Sequence, residues 1–175
     1  MKPLQLLLVL IVGGAMVAHG QSALDPKIRA QLLQLFPAGT SFSPKSGTPP
    51  HYEVFIADAR GGVPTLAGYA FWTTEVEPLE RGYDGPIKIL VGMDVHGILA
   101  GILVVDHHEP YGSFSIEPPR FAAQFKGKDI RDPFRVGADI DAVSRASISI
   151  ASATRAVRNS SRRVASQLLT PKAKS

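Results

Sequence analysis

Apolar and polar positions alternate over residues 87–94, where Ile87, Ile89, Val91 and Met93 interleave with Lys88, Gly92 and Asp94. A period of two marks a strand with one buried face. A Val95-His96-Gly97 turn follows, and residues 98–105 are apolar almost throughout, which predicts a partner strand at the centre of a sheet. Upstream, residues 52–57 are rich in β-branched and aromatic side chains, Arg60-Gly61-Gly62 reads as a turn, and a second strand is expected around 65–74. Two hairpins are thus predicted, separated by a polar loop over 75–86 that carries Pro78, Gly82, Gly85 and Pro86. Toward both ends the period becomes helical. Asp25-Pro26 reads as N-cap and first helical residue before a stripe of Ile28, Leu32, Leu35 and Phe36, and Pro37 and Gly39 stop it. Residues 38–50, rich in Ser, Thr, Gly and Pro, predict a long loop, and Arg120, Phe121, Gln124 and Phe125 a short helix. In the last long helix Ile150, Ala153, Val157, Ser161, Val164 and Leu168 share one face, with Arg155, Arg158 and Arg162 largely opposite. Strands followed by helices give an α+β fold: an antiparallel sheet of two hairpins with packed helices.

Composition narrows the picture. At 175 residues, one domain can bury a core without metal or disulfide staples, and the chain has no cysteine. Thiolate-held clusters, cysteine-type zinc sites and cysteine nucleophiles are therefore excluded. The net charge of +4 is modest. Its basic excess lies in the last helix and tail, with no interleaved aromatic residue and no nucleic-acid motif, so a solvated helix face is expected and no nucleic-acid partner. Lys2, an apolar run over 4–12 and Ala18-His19-Gly20 form a signal-peptide pattern. An uncleaved anchor stays open as an alternative; in a bacterial host the mature protein is expected to be periplasmic or secreted. The expected organisation is a leader over 1–20, a helix and loop over 21–50, one domain over 51–169 and a disordered basic tail over 170–175.

Two polar stretches interrupt the pattern where chemistry is expected. The first, Asp106-His107-His108-Glu109-Pro110-Tyr111-Gly112, ends a strand, where a scaffold fixes a site that the loop leaves exposed. A metal site, a catalytic His–carboxylate pair and a ligand-contacting loop are open for it. Adjacent histidines on opposite faces of a strand weigh against the first, and the lack of a nucleophile context against the second. The other stretch, residues 141–149, crowds Ser144, Ser147 and Ser149 at a helix start. The first N–H groups of a helix lack intrahelical partners and carry the positive end of its dipole, so an anion belongs there. Those hydroxyls can cap the helix, bond a phosphate or, if activated, be esterified; from spacing alone, capping by one serine is favoured. Tyr69, Phe71 and Trp72 read as core, and Lys126-Gly127-Lys128 as a surface turn. A nicotinamide-type Gly-x-Gly-x-x-Gly turn is absent, and a hydrolase using Ser147 with His107 or His108 lacks a nucleophile elbow.

The segment 141–147 resembles the flavinylation motif of FMN-binding domains, Asp-x-x-Ser/Thr-Gly-Ala-Thr/Ser before a helix, with Asp141, Ser144, Ala146 and Ser147 on matching positions. Residues 68–74 are similar to a strand of the periplasmic flavin domain of NosR. Glu109, Pro110 and Gly112, with His108 and Tyr111 among them, resemble the His-Glu-Pro loop that lies against FMN in NosR-like proteins and in the flavin subunits of Rnf and sodium-pumping NADH:quinone reductase. The resemblance runs over 68–164 in the right order. It implies FMN, a flavin transferase that joins the FMN phosphate to the hydroxyl of Ser147, and an exported electron-transfer module rather than a self-contained enzyme. Redox partner proteins, membrane-associated, are implied with it. Arg145 stands where the family has glycine, which suits positive φ or close backbone approach. A guanidinium suits phosphate oxygens instead, so noncovalent FMN, or a degenerate module that has lost flavinylation, is the alternative.

Overall fold

In the computed structural model, which describes residues 24–169, both expected hairpins adjoin in one antiparallel sheet whose strands follow chain order. They are β1 (Ser41–Phe42), β2 (Tyr52–Ile56), β3 (Thr65–Trp72), β4 (Lys88–Asp94) and β5 (Leu99–Asp106). The leader expected over 1–20 and the tail expected over 170–175 lie outside the described residues.

The alternation of side chains builds a three-layer α+β unit. Tyr69 and Phe71 of β3 with Ile89, Val91 and Met93 of β4 face a core shared with Ile150, Ala153, Val157 and Val164 of α5 (Ser147–Leu168). The intervening Ala70, Trp72 and Leu90 face Leu32 and Leu35 of α1 (Pro26–Leu35) on the other side. Each residue step along a strand therefore changes layer, as the pleat requires. Helix α1 starts as its sequence suggests: Asp25 Oδ1 accepts from the N–H groups of Lys27 at 2.8 Å and Ile28 at 3.2 Å. Phe36 then packs so closely over Gly92 that a Cβ there would lie 2.9 Å from Cε2 of the ring. Truncating Phe71 to alanine would cost about 3–5 kcal/mol and Ile150 about 2–5 kcal/mol, since both are fully buried.

Three expectations change. Strand β5, expected at the centre from its apolar sequence, is an edge strand. Its apolarity has another cause, because Ile102 enters the core under α5 while Leu103 and Val105 pack with α1, so both faces are covered. Its open edge is partly closed by residues 127–128: Leu99 N–H donates to Lys128 O and Gly127 N–H to Leu99 O, each at 2.8 Å. Within the loop expected over 38–50, Ser41 and Phe42 pair with Phe55 and Val54, and single helical turns α2 (Thr73–Val76) and α3 (Gly112–Ser115) precede α4 (Pro119–Ala123) and α5. Nor is the basic face of α5 simply solvated. Arg155 pairs with Glu80 at 2.7 Å, Arg163 with Glu77 at 2.8 Å, and Arg162 donates to the carbonyls of Ile130 and Asp132 at 2.8 Å.

Candidate functional site

Where β5 leaves the sheet, the chain turns through 107–111 into α3. The Nδ1 atom of His107 accepts from Glu109 N–H at 3.1 Å, and its Nε2 faces Glu117 Oε1 at 3.1 Å. With Nδ1 accepting, the ring proton resides on Nε2 and points to Glu117, so both nitrogens are engaged within the loop. Gly112 has no alternative here, since a Cβ would stand 2.1 Å from His107 Cε1. His108 is exposed and forms no side-chain hydrogen bond among the described residues.

Glu109 holds three segments together. It is buried, and its carboxylate accepts from Tyr83 N–H at 3.0 Å, Asp84 N–H at 3.2 Å and the hydroxyl of Ser149. Burial alone would push this carboxyl up. The Ser149 hydroxyl, the two N–H groups and the neighbouring His107 outweigh it and hold the group below its ordinary range. Gly82 admits the carboxylate, because its Cβ would fall 2.2 Å from Oε1. Residues 77–86 thus form a strap along α5, fastened also by Glu80, which accepts from Ser152 Oγ at 3.1 Å and Arg155 at 2.7 Å.

The chain reaches α5 through a braced loop. Asp139 accepts from Lys128 Nζ at 3.0 Å and from the N–H groups of Phe134 at 3.0 Å and Arg135 at 2.5 Å, and Asp141 N–H donates to Gln124 Oε1 at 2.6 Å. Arg145 follows with φ of 69°. This is the left-handed region that glycine occupies freely and other L-residues only at roughly 1–2 kcal/mol. Arg145 thus holds under strain a backbone geometry that a glycine would adopt freely. Helix α5 begins at Ser147 behind an Ala146 N-cap with no side-chain cap bond, so the serine cap favoured by spacing does not form. Ser149, the buried hydroxyl, bonds Glu109 instead. Among the described residues, the N–H groups of Ser147, Ile148 and Ser149 have no protein acceptor, and the hydroxyls of Ser144 and Ser147 and the guanidinium of Arg145 have no polar partner.

A cavity of about 330 Å³ lies at this helix start, lined by Pro110 and Tyr111, by Tyr83 of the strap and by residues 145–149. A second one, about 380 Å³, is lined by Asp141, Ser144, Arg120 and Gln124 among others. Of the residues singled out in the sequence, Pro110, Tyr111, Arg145, Ala146, Ser147 and Ser149 come together around the first cavity. Asp141 and Ser144 line the second; Glu109 and Gly112 support the first from behind, and His108 lines neither. Sequence reasoning missed Tyr83 and Ile148, which are 70% and 53% exposed although large and apolar. The one signal for Tyr83 was a lone aromatic ring in a loop rich in charge, glycine and proline. Tyr111 and Phe114, with ring centroids 5.4 Å apart, extend the apolar rim.

Residues 82–161 match the family model of the FMN-binding domain. The chain carries an FMN-binding domain. That match opens inside the strap and closes within α5, so the lining of the first cavity falls inside it. Over 60 residues the chain is 37% identical to a component of the ion-translocating oxidoreductase complex of Haemophilus influenzae, covering 34% of this chain and 26% of that protein. Over 70 residues it is 39% identical to the like-named component from Pectobacterium atrosepticum, covering 40% and 30%. Each match thus spans less than a third of the relative. FMN is the cofactor, and the residues present fit it: a cavity in the usual size range for small ligands, N–H donors and a cation without protein partners among the described residues for a phosphate, and an apolar rim for a ring.

Proposed function

We propose that this protein is an exported electron-transfer flavoprotein whose FMN is bonded through its phosphate to Ser147. The observation that carries the reading is the exposed hydroxyl of Ser147 on the first residue of α5, without a partner among the described residues, beside N–H groups equally without one and in the same cavity as Pro110 and Tyr111. In the attachment step a flavin transferase supplies an activated FMN phosphate. The Ser147 oxygen forms the new bond to phosphorus, the leaving group departs with its electron pair, and the hydroxyl proton passes to solvent. Bound there, FMN supplies one- or two-electron transfer.

The chain's own residues bind and orient. The N–H groups at the start of α5 and the guanidinium of Arg145 supply hydrogen bonds and positive charge to the phosphate. Glu109 keeps the strap, the turn after β5 and α5 in register. The exposed apolar side chains of Tyr111 and Ile148 offer a surface on which a redox partner docks. The names of the relatives support membrane-associated redox proteins as that partner class. Export rests on the leader pattern over residues 1–20.

A second reading, noncovalent FMN held by the Arg145 ion pair, is favoured by the departure from glycine in the motif. Purified protein co-expressed with a flavin transferase in the exported compartment separates the two. Yellow colour that stays with the acid precipitate supports the phosphodiester, colour released to the supernatant supports the ion pair, and none in either fraction rejects both.

A further inference from the structure

The strap fixes its backbone but leaves its largest side chain without a partner. Glu77 pairs with Arg163 at 2.8 Å, Glu80 with Arg155 at 2.7 Å, and the N–H groups of Tyr83 and Asp84 end on buried Glu109 at 3.0 and 3.2 Å. Gly82 N–H closes the turn onto Gly85 O at 2.7 Å. Moving Tyr83 Cα would strand a buried carboxylate, which is costly. The Tyr83 ring nevertheless stands 70% exposed, with no hydrogen bond among the described residues, and lines the same cavity as Tyr111 and Ile148. An aromatic side chain held in the open on a fixed backbone forgoes its burial energy unless something covers it. Planar aromatic systems are its best complement, through offset or edgewise contact.

We infer that Tyr83 is a flavin-contacting residue: its ring is a wall of the isoalloxazine slot and screens the flavin from solvent. The assignment rests on FMN occupying this cavity. It gives the strap a purpose, because one carboxylate, Glu109, sets both this wall and, through Ser149, the helix start that receives the phosphate. The hydroxyl of Tyr83 has no part in the contact; the ring does.

The test compares flavin-loaded full-length wild type with Tyr83→Phe and Tyr83→Ser, reading the quenching of bound-flavin fluorescence by iodide. Tyr83→Ser should raise the quenching constant at least threefold, and Tyr83→Phe should stay near wild type. Flavin-free Tyr83→Ser should melt at the wild-type temperature, since an exposed ring contributes little to the fold. A Ser variant that takes up no FMN while the Phe variant loads normally also supports the wall. Iodide access unchanged in Tyr83→Ser, or a Phe variant shifted as far as the Ser variant, overturns it while leaving the FMN site intact. A wild type that takes up no flavin overturns both.

Discussion

The hydroxyl of Ser149 donates to the carboxylate of Glu109, joining two buried residues 40 positions apart in the chain. One lies in the first turn of α5, where the flavin phosphate is proposed to sit; the other follows β5, next to Pro110 and Tyr111 of the cavity wall. Because the same carboxylate accepts from Tyr83 and Asp84, three parts of the site are set by a single side chain.

Replacing Glu109 should therefore loosen the fold and the site together. Glu109→Gln keeps the shape but turns an amide N–H₂ toward donors and removes the charge that strengthens their bonds. A loss of about 2 kcal/mol is expected, with about 1 kcal/mol for Ser149→Ala. Urea unfolding of the flavin-free proteins measures both; midpoints equal to wild type would contradict the tie.

Acid should unfold the protein by the same route. Glu109 and Asp139 both titrate below their ordinary values in the fold, Asp139 because the Arg135 and Phe134 N–H groups and Lys128 outweigh the upward push of burial. As pH falls, the unfolded chain takes up these protons first. Their stabilisation is therefore complete above about pH 4.5 and lost as pH drops through the lower, folded values. Urea midpoints measured from pH 7 down to pH 3 should decline below that point, and the decline should be shallower in Glu109→Gln.

Much of the frame was legible in the chain, because its signals are local. Asp25-Pro26 caps α1 as read, Gly97 turns the β4–β5 hairpin at φ of 85°, and the apolar stripe of α5 is the stripe that is buried. What escaped depends on long-range contacts. An apolar β5 reads as central whether it is hydrogen-bonded on both edges or, as here, covered on both faces by helices. Glu109 reads as a ligand-facing acid until Tyr83, Asp84 and Ser149 are seen to enclose it. Nor does spacing reveal that the N-cap position falls on Ala146, or that Ser149 in the first turn ends on a carboxylate 40 positions away.

Arg145→Gly separates backbone strain from charge. Relief of the φ of 69°, less the extra freedom glycine gives the unfolded chain, should stabilise the flavin-free protein by about 0.5–1 kcal/mol. FMN bound without a covalent link should weaken about tenfold, while riboflavin, which lacks the phosphate, should bind as before. Thermal melting and fluorescence titration with the two flavins read these separately. Equal weakening toward both flavins would show that Arg145 acts on the ring or the fold rather than on the phosphate.

The most direct measurement is peptide mapping of the protein made together with a flavin transferase. Trypsin cleaves after Arg145 and Arg155, releasing residues 146–155. This peptide should carry the mass and absorbance of FMN, fragmentation should place it on Ser147, and Ser147→Ala should abolish it. FMN on a different peptide, or on this one in the Ser147→Ala protein, would contradict attachment at the head of α5.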